Sequence, residues 1–159
     1  KSFMGFFMII PMWFCIAFIF NLNYGRYLLI LLVILVAAAD IGAYLVGKKI
    51  GRHALIPHVS PNKTWEGFCG GLVFSILLVS VIWQIFPVDY KFYSFSYLLL
   101  VTIFTVLASV VGDLTVSMLK REGEQKDTGT LLPGHGGLLD RIDGIFGAAP
   151  IFTLGIFFV

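Results

Sequence analysis

The run Tyr27–Ala39, YLLILLVILVAAA, carries no charge, and the low-charge segment around it extends from Tyr27 to Gly47. That is about the ~20 residues an α-helix needs to cross a bilayer, where every backbone N–H and C=O must find its partner inside the chain. A water-soluble fold has no place for such a stretch, and composition agrees. The chain has 159 residues, of which 58% are hydrophobic and 13% charged, against roughly a quarter charged in soluble domains.

Four more apolar runs follow the same rule. The expected spans are Phe3–Phe20, Tyr27–Gly47, Gly67–Phe86, Tyr97–Leu119 and Gly144–Val159, the last rather short. The expected fold class is an all-α integral membrane protein, a polytopic bundle of about five transmembrane helices forming one catalytic domain, with no internal repeat. Met4–Phe20 could pass for a signal peptide, but it lacks a basic leader and a small-residue cleavage site. It reads as a membrane helix. The chain opens at Lys1 rather than Met, so the expectation is the C-terminal part of a longer protein with helices upstream. Cys15 and Cys69 lie in separate apolar runs without metal-binding spacing and read as buried thiols. A net charge of +2 and the absence of a basic stripe give no reason to expect nucleic acid.

Basic residues orient the spans. Lys48, Lys49, Arg52 and Lys63 fall in one connection, and Lys120, Arg121, Lys126 and Arg141 in another two spans later. The remaining connections hold only Arg26 and Lys91. Both basic connections therefore share a face, which the positive-inside rule makes cytoplasmic.

Acidic residues then single out a site. Asp40 and Asp113 sit inside expected spans, where a carboxylate is costly without a partner, an ion or water. Each lies about two helical turns from a basic span end, so both belong at similar depth. Asp140 and Asp143 would share one face if LLDRIDGIFG opens the last helix. Each acid alone has a plain structural reading, as a helix-end charge or a lysine's partner. Four at one depth point to a hard cation such as Mg²⁺, which takes carboxylate oxygens and leaves positions open for phosphates.

The surrounding residues suit phosphate. The glycines of PGHGG, Pro133–Gly137, permit close backbone approach, and Lys120, Arg121, Lys126 and Arg141 can neutralise phosphate oxygens. His135 is open to three readings: hydrogen-bond donor to phosphate, acid/base, or loop residue. SPNKTWEG, Ser60–Gly67, has a Lys-Thr pair but lacks the preceding glycines of a P-loop, and no GxGxxG occurs.

With those residues placed, the segment Ser117–Asp143 resembles the signature of the phosphatidate cytidylyltransferase, or CDP-diacylglycerol synthase, family. Ser117, Leu119, Lys120, Arg121, Lys126, Asp127, Gly129, Leu132 and Pro133 fill its first defined positions. His135, Gly136, Gly137, Leu138, Asp140, Arg141, Ile142 and Asp143 fill the rest. DIGAYLVGKKIGRH and SPNKTWEGFCGG resemble two preceding blocks, so the likeness covers Asp40 to Asp143.

The resemblance implies transfer of a cytidylyl group from CTP to phosphatidate; the basic connections put the site on the cytoplasmic side, and their compactness suggests a bacterial inner membrane. The resemblance also implies Mg²⁺ held by Asp113, Asp140 and Asp143, with Asp40 a further candidate ligand and a second cation nearby. Lys120, Arg121, Lys126 and Arg141 would share phosphate charge, while Ser60, Asn62, Lys63, Thr64, His135, Gly136 and Gly137 are candidate substrate contacts. The implied partners are CTP, phosphatidate and the lipid bilayer, with homo-oligomer formation open. An ion-coupled transporter explains Asp40 and Asp113 but has no use for the signature. A polyprenol kinase relative is the nearer alternative.

Overall fold

The computed structural model describes residues 2–57, 59–85, 93–123 and 142–158. Its helices are α1 (Ser2–Phe20), α2 (Gly25–Ile50), α3 (Trp65–Ile85), α4 (Phe95–Glu122) and α5 (Asp143–Phe157). Each expected apolar run has become a helix, and the fold is an all-α membrane architecture. Helices α2, α3 and α4 are long and apolar enough to cross a bilayer, while α1 and α5 are shorter apolar helices. Helix α4 has 28 residues, roughly 42 Å at ~1.5 Å per residue. That exceeds the ~30 Å hydrocarbon core, so one or both of its ends must emerge.

The connection between α2 and α3 adds an element that the apolar pattern does not announce. Strands β1 (Ala54–Ile56) and β2 (Ser60–Thr64) pair antiparallel, Ala54 opposite Thr64 and Ile56 opposite Ser60, with an irregular register between them. A lone two-stranded hairpin is marginal in water. This one is tied to the helices at several points described below, and so acts as a cap on one end of the bundle.

Small residues set how closely the helices approach. A Cβ on Gly71 of α3 would lie 2.5 Å from the Ala39 carbonyl oxygen of α2, and one on Gly42 would lie 2.6 Å from Phe74 Cβ. Between α4 and α5, a Cβ on Gly112 would lie 2.6 Å from Gly147 N, and one on Gly147 would overlap the Ala108 carbonyl oxygen. Lipid tails are as apolar as leucine, so membrane helices associate through such close backbone packing rather than through a hydrophobic drive.

Behind these contacts lies a core that includes Ile19, Leu32, Leu35, Val79, Val101, Phe146 and Phe152. Outward-facing Trp13, Phe14, Ile41, Leu77, Val81, Phe104 and Val111 are exposed, as expected for side chains that meet acyl chains. Cys69 corrects the sequence expectation: it is exposed, whereas Cys15 is partly covered. It points away from the α2–α3 seam because Gly67 and Gly71, two positions either side of it, are the residues turned into that seam.

Candidate active site

The acidic residues gather because each neighbours a tight helix crossing. Asp40 follows Ala39, whose carbonyl touches the α3 seam, and Asp113 follows Gly112, which packs on Gly147. Asp143 precedes Gly144, whose missing side chain leaves room for Ser109 of α4. Close backbones leave short side chains able to meet. The Asp143 carboxyl lies within hydrogen-bonding reach of Asp113, and Lys120 is near enough to act on it electrostatically. Asp40 interacts in the same way with both Asp113 and Lys63.

Asp113 is the hub. One carboxylate oxygen, Oδ2, pairs with the Lys63 ammonium, reaching from β2 to α4. The other, Oδ1, accepts from Ser117 Oγ at 3.5 Å, one turn along the helix. Lys63 and Asp113 are 28% and 21% exposed, so the pair sits at the boundary between core and solvent. Asp143 is the first residue of α5, where anions are favoured, and its Oδ1 accepts from Gly144 N at 2.9 Å.

Next to the hub is a cavity of about 220 Å³. Asp40, Tyr44, Asn62, Lys63, Thr64 and Asp113 form its polar lining, and Ala39, Ala43, Phe68, Val106 and Val110 contribute apolar wall. Charge and oil therefore meet in one space. Of the four hairpin residues expected to touch substrate, Asn62, Lys63 and Thr64 line this cavity; Ser60, at the other end of β2, is not among its lining residues. The Thr64 hydroxyl also caps α3, accepting from Gly67 N at 3.1 Å. That bond sets where strand turns to helix.

Arg121 donates Nε to the Val59 carbonyl at 3.4 Å. The basic end of α4 thus meets the basic connection between α2 and α3. Lys126, His135, Gly136, Gly137, Asp140 and Arg141 fall outside the described residues. Among the described residues, no three His, Cys, Asp or Glu side chains form a group that could hold a metal ion. Even so, paired acidic oxygens beside a polar cavity are donors of the kind a hard divalent ion takes.

Glu66 is a site-forming residue that the sequence reading passed over. Its Oε2 accepts from the backbone N–H groups of Arg52 and His53 at 3.2 and 3.3 Å, and its Oε1 pairs with His53 Nδ1 at 2.6 Å. An acid in the first turn of α3 thereby closes the open end of the hairpin that carries Lys63. Its only signal in sequence was position, two residues after the capping Thr64. Glu66→Ala is expected to leave the helices intact while amides of residues 52–64 exchange severalfold faster with deuterium. Unchanged exchange there would remove Glu66 from this fastening role.

The profile of the Cytidylyltransferase family matches residues 1–159. The chain is 44% identical over 140 residues to a phosphatidate cytidylyltransferase of Haemophilus influenzae, covering 86% of this chain and 48% of that protein. It is 40% identical over 139 residues to the Bacillus subtilis protein of the same name, covering 85% and 50%. For the Pseudomonas aeruginosa protein, also so named, the figures are 41% over 150 residues, 94% and 55%. The chain spans about half the length of these curated relatives.

Proposed function

The chain belongs to the cytidylyltransferase family, and we propose that it forms the catalytic part of an enzyme transferring a cytidylyl group from CTP to phosphatidate. The observation that carries this reading is the meeting of Asp113, Asp143 and Lys63 beside a mainly apolar cavity with a polar side. The names of the relatives support the substrates. The positive-inside rule supports a cytoplasmic site, in a bacterial inner membrane as the relatives' sources suggest.

In the proposed reaction an oxygen of the phosphatidate phosphate attacks the α-phosphorus of CTP. A new P–O bond forms, the bond from the α-phosphorus to the α–β bridging oxygen breaks, and pyrophosphate leaves. The nucleophile is already an anion, so no strong base is required. The difficulty is repulsion between two phosphate groups and their in-line alignment, which makes positioning and electrostatics the main contributions.

Lys63 and Lys120 supply positive charge at the cavity and beside Asp143. Arg121 holds the hairpin to α4 through Val59, while Asn62 offers amide donors at the cavity wall. Asp113 and Asp143 would hold Mg²⁺, joined by Asp140 from the signature, with Asp40 in reserve; a second cation belongs to the same reading. Bound Mg²⁺ supplies charge neutralisation at phosphate oxygens. Apolar Ala39, Ala43, Val106 and Val110 give the lipid a sideways approach while CTP arrives from water.

The test uses CTP labelled at the α- or γ-phosphate, with phosphatidate, Mg²⁺ and the purified full-length protein. Transfer of α-label to lipid with release of pyrophosphate is expected. Transfer of γ-label would make the protein a lipid kinase, and no consumption of CTP would favour a transporter or a structural subunit.

A further inference from the structure

We infer that Lys63 is a built-in counter-ion for the acidic cluster, holding the cation position at Asp113 until a divalent ion takes it. The inference rests on the proposed function and concerns what the ion replaces. Asp113 has Asp143 within hydrogen-bonding reach and Asp40 close enough to interact. Asp113 and Asp143 are partly buried while Asp40 is exposed, and the two partly buried acids repel each other unless a cation sits between them. In this structure the Lys63 ammonium supplies that charge on Asp113 Oδ2, while Oδ1 is turned toward Ser117.

An ammonium and a divalent ion cannot share that oxygen on equal terms. Their like charges repel, and a small ion binds its carboxylate oxygens at about 2.0–2.1 Å. Lys63 must therefore withdraw as the ion arrives. Its backbone has little freedom to follow, because β2 pairs with β1 and the hairpin is fastened through Glu66 and Arg121. The flexible four-carbon stem can move instead, and the adjoining cavity, lined by Lys63 itself with Asn62 and Thr64, is the space open to it. Displacement thus delivers a positive charge to the place where a nucleotide's phosphates would enter. One ammonium serves two successive anions, and ion binding becomes coupled to nucleotide binding.

The experiment titrates Mn²⁺ into the detergent-purified full-length protein without nucleotide, followed by electron paramagnetic resonance. Lys63→Met should bind Mn²⁺ with a Kd roughly fivefold lower than the wild type, the factor a partly exposed ion pair contributes. The same variant should bind CTP more weakly. A lysine acting only as a phosphate ligand or a structural tie would leave nucleotide-free Mn²⁺ affinity unchanged or reduce it, and either result overturns the inference.

A second measurement needs no variant. Amine-reactive labelling of wild-type Lys63, read by mass spectrometry, should accelerate on adding Mg²⁺ and slow again on adding CTP. A rate indifferent to Mg²⁺ overturns the exchange. Wild-type protein that makes CDP-lipid while failing these tests loses the counter-ion inference alone. Protein that neither binds Mn²⁺ nor makes product loses the proposed function as well.

Discussion

Replacing Asp143 with Asn is expected to leave the protein folded in detergent and lower CTP-dependent product formation by about 10²-fold or more, the scale on which loss of one preorganised electrostatic group acts. Folding should survive because Asn keeps an oxygen that can accept from Gly144 N, as Asp143 Oδ1 does at 2.9 Å. The negative charge beside Asp113 is what disappears. A turnover number near wild type at saturating Mg²⁺ would take Asp143 out of the ion site. Mn²⁺ affinity, measured in parallel, should fall in this variant and rise in Lys63→Met. Opposite signs from two residues of one cluster are hard to obtain from general misfolding.

The second large effect is structural. Gly147→Val should sharply reduce the yield of monodisperse protein, because even its Cβ would overlap the Ala108 carbonyl and lie 3.0 Å from Gly112 N. Both obstacles are backbone, so no side chain can swing aside, and α4 and α5 must separate. Overpacking of this kind costs about 1–3 kcal/mol or more, with melting expected several degrees lower. Activity per folded molecule should drop too, since that crossing brings Asp113 to Asp143. Wild-type stability and activity in Gly147→Val would show that the α4–α5 crossing is looser than described. A comparable gain of bulk at exposed Val111, Val111→Leu on the outer side of α4, should do neither.

These two substitutions separate what could be read along the chain from what could not. Asp143 was visible in advance: it is one acid of a dense motif, next to an apolar run, in a chain with little charge to spare. Gly147 was not, because a glycine inside an apolar helix looks the same whether it faces lipid or another backbone. Cys69 shows that limit from the other side. Its apolar neighbours suggested a buried thiol, yet in a membrane chain both faces of a helix are apolar, so hydropathy cannot tell core from lipid contact.

The hairpin and its fastenings were likewise outside the reach of periodicity. Strands of three and five residues carry too few alternations to register as a pattern, and their stability comes from contacts with α3 and α4. Glu66 therefore carried no distinguishing mark along the chain. Lys63 looked like a phosphate ligand, because nothing near it in sequence announces a partner on α4. The signature residues between Lys126 and Arg141, among them Asp140 and His135, lie outside the described residues, and their roles remain part of the proposal.

Sequence alone determined the solvent this protein folds in, the helical segments that solvent demands, and the face on which its charges collect. Those follow from local terms, the cost of bare backbone and of unpaired charge in hydrocarbon, and each residue contributes independently of its distant neighbours. Only the tertiary structure decided which acids meet and which base answers them. Asp113 finds Asp143 through Gly112 and Gly147, and Lys63 through a hairpin held by Glu66, because side-chain encounters depend on how near two backbones can come.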